Sequence, residues 1–269
     1  METVLLSFFS CFGLILLYTL GAITLCGLVA HLVSRAYVRL AGGGKFGYVT
    51  AIIGTPIHEL GHALMCLLFG HKITEMKLLL PPNHPSGNLG YVAHTYNKRN
   101  LWARLGNLFI GVGPIFSGLG VVILTLLLCF PEAWGGYLDA TALPASELSF
   151  SVIPTAIGTL LVDLFGAFSS EQWWVPLIGI IIILFVSQHI TLSMADVKGA
   201  LSALPIYLLL VFLLTVILLL TGIEGVVLTA LFHFFLRTLS LFAISITFTL
   251  LWLIPGLLLW LLRAIRRAF

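Results

Sequence analysis

Residues 48–69 read YVTAIIGTPIHELGHALMCLLF, an apolar run that carries His58, Glu59 and His62 near its middle. About 20 consecutive apolar residues span a hydrocarbon core, so the length of this run predicts a membrane helix. An ionisable group inside such a helix costs at least ~2.5 kcal/mol, and three crowded between positions 58 and 62 require a compensating purpose. The spacing supplies one. At 3.6 residues per turn, His58 and His62 differ by about 40° around the helix axis, so both imidazoles can reach one metal ion. Glu59 lies about 100° from His58, on the shoulder of that face, where it can take a proton from water without being a ligand. In a chain with eight histidines, composition alone predicts roughly 0.006 such His-Glu-x-x-His patterns. The plainer reading is a polar cluster that joins helices through hydrogen bonds.

The rest of the chain fits a membrane setting. It has 269 residues, 60% of them hydrophobic and 9% charged, with a mean hydropathy of +1.13. A soluble domain carries about 25% charged residues, so most of this surface must face lipid or other helices. No polar linker sets off a second domain, and residues 1–269 are expected to form a single membrane-embedded unit. The net charge of +3 comes from lysines and arginines at helix ends, which argues for orientation in a bilayer and against nucleic-acid binding. Cys11, Cys26, Cys66 and Cys129 all sit in apolar stretches without paired spacing and read as buried small hydrophobes. Glu2 precedes a long apolar run with no basic leader, so the N-terminus is expected to be a retained first span.

Working outward from residues 48–69, an N-terminal span is expected over 4–33, ending at Arg35, Arg39 and the Gly42-Gly43-Gly44 turn. Further spans are expected at about 106–130, 173–192 and 203–222. The run 226–262 is too long for one upright helix and is expected to tilt or to break near Thr238–Ser240. Residues 150–168, which contain Pro154 and Asp163, could be re-entrant or a seventh span. The expected fold is therefore an all-α polytopic membrane protein with about six transmembrane helices. With six spans, both termini share a side. Placing them in the cytoplasm gathers the basic residues of 71–105, Lys198 and Arg263, Arg266 and Arg267 inside. Arg35, Arg39 and Lys45 then lie outside, with the acidic loop that holds Glu132, Asp139 and Glu147. The polar segment 71–105 is different. Lys77–Leu80 and Leu89–Thr95 flank the turn-rich Pro81-Pro82-Asn83-His84-Pro85-Ser86-Gly87, which predicts a small β-hairpin at the membrane surface. It is either a substrate clamp, adding substrate as an extra strand, or an ordinary solvated loop. His71, His84 and His94 fall within it, read as loop residues with His94 bordering the site.

A catalytic zinc generally has three protein ligands and one open position. Only three aspartates exist, Asp139, Asp163 and Asp196. Asp196, in Leu192-Ser193-Met194-Ala195-Asp196-Val197-Lys198-Gly199, is the leading candidate for the third ligand, with His189 next. The competing role for Asp196 is a helix cap or a partner of Lys198. The proposed set is one zinc per chain, held by His58, His62 and Asp196, with Glu59 as general base.

Thr55-Pro56-Ile57-His58-Glu59-Leu60-Gly61-His62-Ala63-Leu64 resembles the active-site helix of the site-2 protease family of intramembrane zinc metallopeptidases. Gly111-Val112-Gly113-Pro114 is similar to the glycine- and proline-containing third core helix of that family, and Asp196 stands where it places an aspartate ligand. The resemblance covers about 48–200. It departs from the pattern at Ala195-Asp196-Val197, where the family has Leu-Asp-Gly, and no stretch is long and polar enough for the inserted PDZ domain of many members. It implies hydrolysis of peptide bonds in membrane-anchored protein substrates, by a compact, divergent member in the cell membrane of a prokaryote. Two other readings use the same residues: a zinc-dependent hydrolase of lipid-linked or small amide substrates, and a non-catalytic membrane binding or transport protein that keeps the fold. The intact Glu59 weighs against the last.

Overall fold

A backbone in lipid has no water to bond, so an apolar run satisfies its amides internally, and a helix does this locally. The computed structural model describes residues 2–40, 44–142 and 149–268 and contains eleven α-helices and one two-stranded sheet among them. In chain order these are α1 (Glu2–Leu16), α2 (Ala22–Leu40), α3 (Gly44–Leu68), β1 (Lys72–Lys77), β2 (Tyr91–Thr95), α4 (Leu101–Cys129) and α5 (Pro131–Thr141). There follow α6 (Val152–Gly166), α7 (Trp174–Ser187), α8 (Met194–Leu201), α9 (Leu204–Thr221), α10 (Glu224–Leu251) and α11 (Leu253–Ala268). Gly42 and Gly43 of the expected turn, and Glu147, lie outside the described residues.

Among the described residues, six stretches are long and apolar enough to cross a membrane: Val4–Leu40, Tyr48–Leu68, Leu101–Cys129, Val152–Ser169, Leu204–Thr221 and Glu224–Arg266. The protein is an all-α polytopic membrane protein with a small hairpin. The number of spans agrees with the sequence reading, but one member changes. Residues 152–169 form a helix of spanning length, because Pro154 falls in the first turn of α6, where a missing N–H breaks no helical bond. The segment expected as a span at 173–192 is instead the short α7, and the chain leaves helical conformation from Gln188 to Ser193. The last run also breaks elsewhere. Ser240 bonds back to the Arg237 carbonyl and α10 runs unbroken past it; the interruption comes at Trp252. Pro255, lacking an N–H, cannot extend the ladder to the carbonyl of Leu251.

The core is built round α4. Ile115, Val122 and Leu126 are fully buried there against Ile183 of α7 and Phe242 and Ile244 of α10. In α3, Ile52, Leu60, Leu64 and Leu67 are exposed at helical spacing, which is the face available to lipid. The opposite face turns Gly54, His58, Gly61 and His62 inward. Gly70, at φ +70°, ends this helix in a Schellman turn, with His71 N–H donating to the Cys66 carbonyl at 2.8 Å.

That turn feeds directly into β1, so the first strand lies at 72–77, earlier than the expected 77–80. β1 and β2 pair antiparallel, Lys77 opposite Tyr91 and Ile73 opposite His94, with an irregularity between Ile73 and Glu75. The Tyr91 hydroxyl donates to Glu75 Oε1 at 2.6 Å across the pair. Beyond it only Leu80 N–H reaches the Leu89 carbonyl before Pro81 and Pro82 remove the next donors.

Candidate metal centre

The inner face of α3 presents His58 and His62 one turn apart, ring centroids 5.0 Å from each other. Asp196 of α8 reaches them from across the fold. Its Oδ1 lies 3.3 Å from His62 Nε2 and its Oδ2 4.0 Å from His58 Nε2. One ligand atom from each of the three lies within 4.8 Å of the others, and all three side chains are largely buried. Two imidazoles and a carboxylate gathered this way form a candidate metal-binding group.

The other ring nitrogens decide which face of each imidazole points at the group. His58 Nδ1 donates to the carbonyl of His189 at 2.9 Å, and His62 Nδ1 donates to that of Ile110 at 2.7 Å. Each bond fixes the tautomer and turns the Nε2 lone pair toward Asp196, as second partners of metal-ligating histidines do. Local sequence makes both acceptors available. Pro114 has no N–H, so the carbonyl four residues back, that of Ile110, is released from the α4 ladder. The His189 carbonyl is free because α7 has already ended at Ser187.

Two glycines let the helices close around the group. A Cβ on Gly61 would lie 2.6 Å from the Gly113 carbonyl oxygen, so α3 and α4 meet backbone to backbone. A Cβ on Gly111 would lie 2.7 Å from the Asp196 carbonyl oxygen, so α8 can seat against α4. The Gly111-Val112-Gly113-Pro114 segment thus serves both neighbours and the His62 acceptor. Asp196 is held by a capping box: Ser193 N–H donates to its Oδ2 at 2.8 Å, and its own N–H donates to Ser193 Oγ at 3.1 Å. The capping role weighed from the sequence is present, and the same carboxylate also faces both imidazoles.

Glu59 is 7% exposed and, with His58, His62 and Asp196, lines a cavity of about 730 Å³. Gly90 lies over it, since a Cβ there would stand 2.8 Å from Glu59 Cγ and 2.9 Å from the Lys77 carbonyl oxygen. The segment after the proline-rich turn therefore covers the carboxylate. The cavity wall also includes Asn107 of α4, Val92 and His94 of β2, and His31 and Arg35 of α2.

The structure brings His58, Glu59, His62 and Asp196 together. His189 does not join as a ligand. Its ring faces Thr50 Oγ1 at 3.2 Å and Thr55 Oγ1 at 3.4 Å, and its contribution is the backbone carbonyl. His94 borders the cavity as expected, and burial together with His71 and His62 holds its imidazole below the usual histidine range. His84 stays a loop residue, bonded to Ser86 Oγ. His71 stays in the connection between α3 and β1 but is not solvated: it is buried, with Nε2 donating to the Ala103 carbonyl at 2.7 Å. Arg35, grouped by sequence with the outer charges, opens into the cavity. The acceptors at Ile110 and His189 were also missed; Pro114, four residues after Ile110, was the available signal for the first.

No family model, no curated protein and no solved structure matches this chain.

Proposed function

We propose that the protein is a membrane-embedded zinc metallopeptidase of the site-2 protease type, hydrolysing peptide bonds in membrane-anchored protein substrates. The convergence of His58, His62 and Asp196 beside the buried Glu59 carries this reading. Zinc held by those three residues would supply a Lewis acid that acidifies water and polarises a carbonyl. The donor set fits, since nitrogen and carboxylate oxygen are ordinary zinc ligands and both imidazoles present an unprotonated Nε2.

The remaining steps belong to the chain's own groups. Glu59, beside the ligands without being one, takes the proton from the attacking water and returns it to the leaving amine. Gly90 and its neighbours screen Glu59 from bulk water on one side. A substrate helix hides its amides in its own hydrogen bonds and must unwind before attack. An unwound segment can pair with the unoccupied outer edge of β2, whose Tyr91, Val92 and His94 face the cavity. By the same resemblance the protein belongs in the cell membrane of a prokaryote.

The test uses purified full-length protein in detergent. His58→Ala and Asp196→Ala should each lose one equivalent of zinc relative to wild type. Glu59→Gln should keep that zinc yet cleave a membrane-spanning reporter at least ~100-fold more slowly. Wild type without zinc, or a Glu59→Gln variant as active as wild type, refutes the assignment.

A further inference from the structure

A second group of side chains of metal-ligating type lies at the end of α3, one turn beyond His62 and sharing no residue with the first. Cys66 occupies the last turn of the helix and is completely buried. His71 follows the Gly70 turn and is 4% exposed, and His94 stands on β2. One ligand atom from each of the three lies within 4.8 Å of the others.

Local structure aims the donors at one another. The left-handed Gly70 folds the chain back so that His71 N–H bonds the Cys66 carbonyl, which sets the imidazole beside the thiol. His71 Nε2–H donates a hydrogen bond to the Ala103 carbonyl, so its Nδ1 carries a lone pair. That Nδ1 faces His94 Nδ1 at 2.9 Å. The His71 ring is clamped by stacking on Tyr96, centroids 4.6 Å apart. It is also clamped by α4, where a Cβ on Gly106 would come within 3.1 Å of Nε2. An imidazole pair sharing one proton explains the two histidines by themselves. It gives no reason for the thiol to complete a three-donor set supplied by a helix, a turn and a strand.

We propose that Cys66, His71 and His94 form a second zinc site, which fastens the β-hairpin to the end of the helix bearing His58 and His62. One thiolate and two imidazoles are a donor set suited to zinc, with the fourth position left to water or another donor. The Ala103 carbonyl plays for His71 the orienting part that backbone carbonyls play for ligating histidines generally. Because β2 lines the cavity and Gly90 covers Glu59, a metal at this point fixes the wall of the first site without taking part in it. A metal held here fastens the hairpin whether or not the first site is catalytic.

Cobalt titration of purified full-length protein in detergent separates the two sites, because only a sulfur ligand gives a near-ultraviolet thiolate-to-cobalt charge-transfer band. The band should appear in wild type and in the His58→Ala/His62→Ala double variant, saturating at one equivalent in the latter. It should vanish in Cys66→Ala, which leaves a small apolar side chain in the buried position, and in His94→Gln, altered on the hairpin alone. Zinc added to the double variant should slow amide exchange along β2, and should fail to do so once Cys66→Ala is added. A wild type without the band, a band that survives Cys66→Ala, or β2 exchange indifferent to zinc overturns the proposal.

Discussion

Replacing Gly61 with alanine tests whether helix spacing beside the candidate metal centre governs the orientation of its histidines. The new Cβ would stand 2.4 Å from Ser117 Oγ and 2.6 Å from the Gly113 carbonyl oxygen. Ser117 can rotate away, but the Gly113 carbonyl is part of the α4 backbone and cannot. Ordinary contact needs about 3.5 Å, so the two helices must part locally by about 0.9 Å. The bond from His62 Nδ1 to the Ile110 carbonyl, now 2.7 Å, lies on the same two helices. Stretched to about 3.6 Å, it ceases to be a hydrogen bond. Two losses follow and can be measured separately. Overpacking should cost about 1–3 kcal/mol of stability, and an unoriented His62 should lower zinc affinity about 10–100-fold. Chelator competition in detergent reads the second, and thermal unfolding the first. Gly120→Ala, on the facing helix α4 but with nothing within 4 Å of the new Cβ, is the control and should leave zinc affinity unchanged. A Gly61→Ala protein whose zinc affinity stays within about twofold of wild type refutes the link between helix spacing and ligand orientation, which rests on that second bond.

Pro114→Ala restores an N–H that competes for the Ile110 carbonyl, so zinc affinity should fall about fivefold, the worth of a ~1 kcal/mol hydrogen bond, while thermal stability rises; unchanged affinity in the chelator assay would make the freed carbonyl incidental. Ser193→Ala removes the acceptor for Asp196 N–H and should cost about 1 kcal/mol of stability. It should also reduce bound zinc although every ligand is intact, with Ser193→Thr restoring it; metal analysis that finds Ser193→Ala fully loaded would detach the cap from the site. Ile115→Ala, in the fully buried core of α4, should cost about 2–5 kcal/mol in thermal unfolding. Leu64→Ala, 51% exposed on the lipid face, should stay within about 1 kcal/mol; equal losses would mean that α3 faces the wrong way.

The His-x-x-x-His spacing and the length of the apolar run around it were legible in the sequence because both depend on a single helix, whose geometry is fixed by 3.6 residues per turn. Asp196 was legible through scarcity, being one of three aspartates and lying close to a helix start. Its pairing with Ser193 follows from neighbouring positions, but its approach to His62 depends on how α8 sits against Gly111 and is not a local property. The exchange of 173–192 for 152–169 as a full span has a similar cause. Hydropathy registers how apolar α7 is, whereas its early end at Ser187 reflects the demand for irregular backbone around His58. His71 was misjudged because a polar, proline-rich neighbourhood suggested solvent. The Gly70 turn tucks it under α3 instead.

The two carbonyls that orient His58 and His62 point to a rule for building polar chemistry in lipid. A regular membrane helix leaves no interior carbonyl uncommitted, and an uncommitted one buried in an apolar medium costs several kcal/mol. An imidazole in the same place has the complementary problem, since the N–H opposite its working nitrogen needs an acceptor. Pro114 in α4 and the early stop of α7 each release one carbonyl, and each is taken by one histidine N–H. Each break offsets part of the cost of the histidine it serves, and each histidine part of the cost of the break. The glycines at 61 and 111 then bring the halves close enough to pair, which is why the HELGH motif and the Gly-Val-Gly-Pro segment make physical sense only together. On two unbroken helices the same imidazoles would lose these two acceptors, and with them the bonds that turn each Nε2 toward Asp196.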